Sequence, residues 1–213
     1  MALTTLPTAA LANDAVDNTK LDLADNYAFT GTVTGAGAWN LLQTTTVSSS
    51  VASVTMGTSS LLTDTYKVYC FTGSNIHVDT DGASGNARIV QSGSAVTDNS
   101  YRFSKIRMYS GSATVSGFVN EAASRYADCW GESIGTSAGE NTSFLGYLYN
   151  PSATDQYKIY YQTQGAQDTS TSQQLVIASY SFTGNTNAVE GLQFYLSSGN
   201  ISTGTFSLYG LSI

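Results

Sequence analysis

Leu175-Val176-Ile177-Ala178-Ser179-Tyr180-Ser181-Phe182, then Gly184-Asn185, then Gly191-Leu192-Gln193-Phe194-Tyr195-Leu196, then Ser198-Gly199-Asn200, then Thr205-Phe206-Ser207-Leu208-Tyr209-Gly210-Leu211-Ser212-Ile213: apolar runs and turn words alternate to the last residue. Val, Ile, Tyr and Phe fit a pleated, half-buried surface, while Gly and Asn accept the backbone of tight turns. The segment reads as three strands with the C-terminus packed into a sheet. It carries no chemistry of its own and predicts a scaffold that presents a surface.

The same pattern runs back through the chain. Strands are expected at 65–72, 101–109, 144–149, 157–162, 174–182, 191–196 and 205–211, with further turns at Asp81-Gly82 and Ser110-Gly111. Pro151, after Asn150, ends a strand and opens a turn. The run 65–72 is apolar or aromatic on both parities, as in a strand buried on two faces or placed at a subunit interface. The run 101–109 has no purely apolar side, which predicts a half-buried strand. Many short strands at this spacing point to two packed antiparallel sheets and not to alternating βα units. The expected body is all-β, an antiparallel β-sandwich of jelly-roll-like type.

Composition agrees with a folded chain. Charged residues are 11% of 213, and Ser and Thr number 29 and 28, so solubility rests on hydroxyls more than on ions. Disorder is opposed by 41% apolar and 11% aromatic residues. The net charge is −7, with eight Lys and Arg scattered singly. No basic cluster is there to track a phosphate backbone, so nucleic acid is not an expected partner. No apolar run approaches the ~18 residues of a membrane span. The N-terminus lacks the basic and apolar regions of a secretion signal, so synthesis and assembly in a cytoplasm are expected.

The first 47 residues hold ten Thr and no Ser. Within residues 1–40, Leu3, Leu6, Leu11, Val16 and Leu21 stand as isolated apolar studs among Asp14, Asp17, Asp22 and Asp25. They follow neither the helical nor the strand period. Such a segment cannot form its own core. Residues 1–40 are therefore expected to be an extended attachment arm, with one short helix at 9–18, and residues 41–213 the exposed β-domain. Trp39 is expected to dock the arm.

Candidate chemistry is sparse. His77 is the only histidine; with Asp79 and Asp81 it could line one strand face as metal ligands. A strand that ends in an Asp-Gly turn explains the same residues, and zinc and calcium sites need more donors than these. No metal or cofactor is expected. A single His in a strand context argues against a catalytic triad, and Asp128, Glu132 and Glu140 are better read as solvating a polar loop than as glycosidase carboxylates. That loop, residues 121–141, is the binding candidate. Tyr126 and Trp130 offer rings for a sugar face, and Asp128 and Glu132 offer acceptors for its hydroxyls. The competing role for Trp130 is the core, where a Trp of a β-sandwich more often lies. Cys70 and Cys129 are the only cysteines, and a cytoplasmic product keeps its thiols reduced.

Both ends of the chain resemble a known family. Leu3-Thr4-Thr5-Leu6-Pro7, Leu11-Ala12-Asn13-Asp14-Ala15-Val16-Asp17-Asn18-Thr19-Lys20-Leu21 and Asn26-Tyr27-Ala28-Phe29-Thr30-Gly31-Thr32-Val33-Thr34-Gly35 are similar to linker segments of tail fibres in tailed bacteriophages. Tyr147-Leu148-Tyr149-Asn150-Pro151-Ser152 and the run from Val189 to Gly210 resemble strands of small β-sandwich modules in phage virion proteins. The resemblance implies a homotrimeric, non-enzymatic virion surface protein. Its arm would hold other virion proteins, and its β-domain would meet a host glycan or outer-membrane receptor as a short tail fibre. A capsid decoration protein that cements the shell is the alternative, and an enzyme acting on surface polysaccharide the third.

Overall fold

Alternation decides the faces of the sheets. In Gln173–Phe182 the buried positions Gln174, Val176, Ala178, Tyr180 and Phe182 interleave with Gln173, Leu175, Ile177 and Ser179, which face water. Lys158–Gln167 and Thr142–Tyr149 alternate in the same way. The structure is a computed structural model. It describes residues 38–212 apart from 171, and the side chains of residues 113, 114, 120, 121, 127 and 128 are not described. The expected arm positions Leu3, Leu6, Leu11, Val16 and Leu21, and the short helix at 9–18, lie outside the described residues.

Every regular element among the described residues is a strand. In chain order they are β1 (Trp39–Val47), β2 (Ser53–Met56), β3 (Val68–Val78), β4 (Ala83–Gln91), β5 (Ser94–Ala95), β6 (Tyr101–Tyr109), β7 (Ser112–Ala123), β8 (Tyr126–Ile134), β9 (Thr142–Tyr149), β10 (Lys158–Gln167), β11 (Gln173–Phe182), β12 (Gly191–Leu196) and β13 (Ile201–Leu211). They form two antiparallel sheets. The larger has the order β1-β13-β3-β9-β10-β11-β6-β7 and the smaller β2-β12-β4-β5. On the far edge of β4, β5 pairs at Val90 and Gln91, while β8 pairs at Ala83, Gly85 and Ala87. The chain passes between the sheets repeatedly: β1 to β2, β2 to β3, β3 to β4, β5 to β6, β7 to β8, β8 to β9, β11 to β12 and β12 to β13.

Two aromatic clusters join the sheets. Phe194 of β12 meets Phe144 of β9 at 5.1 Å and Phe206 of β13 at 5.7 Å between ring centroids. Trp130 of β8 extends this group, at 6.3 Å from both Phe144 and Phe206. The second cluster lies under the far half of the large sheet, where Tyr126 of β8 packs on Tyr101, Tyr180 and Tyr160 at 4.7, 5.2 and 6.0 Å. Trp130 is fully buried; taking about 200 Å² of indole from water contributes about 5 kcal/mol. A Cβ on Gly85 would collide with that ring, so β4 needs a bare backbone there.

The strands expected at 101–109 and 191–196 appear with those limits, and the turn words at 81–82, 110–111 and 198–200 all fall between strands. Three expectations need correction. The stretch 121–141 is not a polar loop, because β8 and the end of β7 occupy most of it. Strands β2, β4 and β7 also arise where no strand was expected. Trp39 and Asn40, placed in the arm, belong to β1 and pair with Leu211 and Gly210. The doubly apolar strand has a simple cause. Tyr69 and Phe71 point to the core, while Cys70, on the other face, is shut from water between its cross-strand neighbours Tyr209 and Tyr147.

Candidate functional site

The residues proposed to bind a sugar do not form an open site. Tyr126 and Trp130 are 0% exposed, so neither ring has a free face to stack on a pyranose. The indole donates Nε1–H to the carbonyl of Asn86 at 2.8 Å. Complete burial holds the Tyr126 phenol well above the usual tyrosine range. Glu132 is held by two cations from β6: Lys105 Nζ lies 2.9 Å from Oε2, and Arg107 pairs with Oε1. Both cations also sit over the Phe118 ring, each at 4.9 Å from its centroid. Glu132 is a bolt between β8 and β6. The side chain of Asp128 lies outside those described.

The other acidic and imidazole groups are similarly engaged. Asp79 accepts the Asn200 N–H at 2.7 Å and the Ser50 hydroxyl at 3.1 Å, and the Asn200 bond leads in lowering its pKa. Asp81 accepts the Thr136 N–H at 3.2 Å. His77 Nε2 lies 3.2 Å from Asn75 Oδ1. Asp79 and Asp81 thus fasten two different loops, as the turn reading expects. Glu140 accepts the Ser137 N–H at 2.6 Å within its own turn. No cluster of three metal-ligating side chains occurs among the described residues.

The feature that sets this molecule apart is the outer face of the large sheet. The register places Trp39 and Leu41 of β1, Tyr149 of β9, and Ile159 and Tyr161 of β10 on this face. It continues through Leu175 and Ile177 of β11, Ile106 and Met108 of β6, and Val115 and Val119 of β7. Among the described residues, every large apolar side chain more than a third exposed is on this face except Tyr157. Among its strand residues whose side chains are described, the only fixed charge is Arg102, because Lys105 and Arg107 have the opposite parity. Trp39 lies edge-on to Tyr209 at 5.5 Å and Tyr147 at 6.3 Å, roofing the position of Cys70.

The face is hollowed as well as apolar. One depression of about 260 Å³ lies between Arg102, Ser104, Ile159, Ser179 and Ser181. Another, of about 320 Å³, is floored by Gly165, which has no side chain to fill the space between Leu145 and Leu175. A sequence signal for this surface existed: β11 is apolar on both parities at Leu175-Val176-Ile177. Read alone, that signal says only that the strand is covered on both sides.

No family model matches this chain, and no curated protein or solved structure shows significant similarity to it.

Proposed function

We propose that this chain is a non-enzymatic structural protein of a tailed-phage virion, a homotrimer displayed on the particle surface. In this reading the residues that precede β1 attach it to other virion proteins. Its β-body serves as a short tail fibre against a host glycan or outer-membrane receptor. The observation that carries the reading is the apolar outer face of the large sheet, a surface suited to a building block. Two further points support it. β1, β13, β3 and β9 facing β2, β12, β4 and β8 follow the strand order of a jelly roll, an architecture used in viral shells. The terminal segments resemble phage fibre linkers and modules.

Capsid decoration is the second reading, and it draws on the same face, which a shell protein would keep covered. Immunogold labelling of intact particles with an antibody against the β-body separates the two. Gold at the tail is the expected result. Gold spread over the head makes the protein a decoration protein, and unlabelled particles overturn the virion reading.

A further inference from the structure

We infer that copies of this chain associate through the outer face of the eight-stranded sheet, centred on the cross-strand pair Ile106–Ile177. The inference rests on the proposal above that the protein is an oligomer, and it names the surface that makes it one.

Area is the first argument. Leu41 is 60% exposed, Val115 58%, Val119 80% and Ile106 51%. With the other seven large apolar side chains of the face, they leave on the order of 1,000 Å² of apolar surface in water, against ~300–600 Å² for the largest patch of an ordinary monomer. A stable interface takes roughly 800 Å² from each partner. The face is thus large enough to be one partner's whole share, and too large to be left bare.

Charge chooses the occupant. A nucleic acid or an anionic lipid surface needs clustered Lys and Arg, and this face offers Arg102 alone. The chain carries a net charge of −7, so identical copies repel wherever acidic surfaces oppose each other. No carboxylate stands among the strand residues of this face whose side chains are described. Through it two like-charged copies approach with few fixed charges opposed. A closed assembly of identical subunits also needs no second gene product to cover the face.

The test uses the full chain. Its mass is measured in solution by light scattering at micromolar concentration, for the wild type and for Ile106→Lys/Ile177→Lys. Both side chains already face water, so the variant keeps the core, which an unchanged far-ultraviolet spectrum checks. An oligomeric wild type and a folded monomeric variant, with at least a 100-fold weaker association constant, support the inference. If the variant stays as oligomeric as the wild type, the interface lies elsewhere and the oligomer proposal survives. A monomeric wild type overturns both. A photoreactive phenylalanine analogue at position 177 identifies the cover directly. Adducts at twice the chain mass are expected, and intrachain adducts to residues 1–37 would show that the chain covers its own sheet.

Discussion

The inner and outer faces of the large sheet invert the usual division between core and surface. Inward, the sheet buries Lys105, Lys158, Gln162, Gln164 and Gln174. Outward, it exposes Trp39, Leu41, Ile106, Ile177 and Val119. Each buried lysine has compensation close by. Lys105 faces Glu132, and Lys158 Nζ donates to the carbonyls of Ala153, Gln156 and Thr186 at 2.7, 2.9 and 3.0 Å. The outer apolar groups have no comparable cover among the described residues. Burial in this sheet follows from what lies over each face, and polarity alone does not decide it.

The sharpest way to test that contrast is to damage each face in turn. Trp130→Ala, under the inner face, should cost about 3–5 kcal/mol in urea denaturation, since it removes a buried indole and leaves a void against Gly85. Glu132→Ala should cost about 3 kcal/mol, because it takes the carboxylate from the buried Lys105. A double-mutant cycle with Lys105→Met should then recover much of that loss. Lys158→Met should cost about 2 kcal/mol by leaving three part-buried carbonyls without their donor.

A pH series probes the strand on which the two faces come closest in chemistry. Burial pushes the Cys70 thiol up to about 12 from 9.0. Between those values the folded chain keeps a proton that the unfolded chain releases, so stability should fall as pH rises above about 9. Cys70→Ala should flatten part of that slope, and native Cys70 should resist thiol reagents at pH 8. The smallest effect is expected outside. Leu175→Ser should change the stability of the β-body by no more than about 0.5 kcal/mol, measured with the Ile106→Lys/Ile177→Lys substitutions also present.

The legible part of the fold was its alternation. Tyr101–Tyr109 and Gly191–Leu196 carry aromatic and branched residues between clear turns, and both were readable as strands. β4, with Ala83, Ser84, Gly85 and Asn86 at its start, was not, because its small residues make room for Trp130 from another strand. β8 was hidden for the converse reason. Its Gly, Ser and acidic residues read as a loop, while their partners, Lys105 and Arg107, lie more than twenty positions earlier. The outer face was hidden by an ambiguity of period. A strand apolar on both parities says that two sides are covered, and it does not say by which molecule.

The fit of Trp130 on Gly85 also bears on ancestry. Any side chain at position 85 displaces the indole, and any smaller residue at position 130 leaves a void over the bare backbone. Neither can change alone without loss, so the two should drift together across descendants of the same gene. A covarying Gly–Trp couple about 45 positions apart is therefore a marker by which remote kin could be recognised after the rest of the text has diverged.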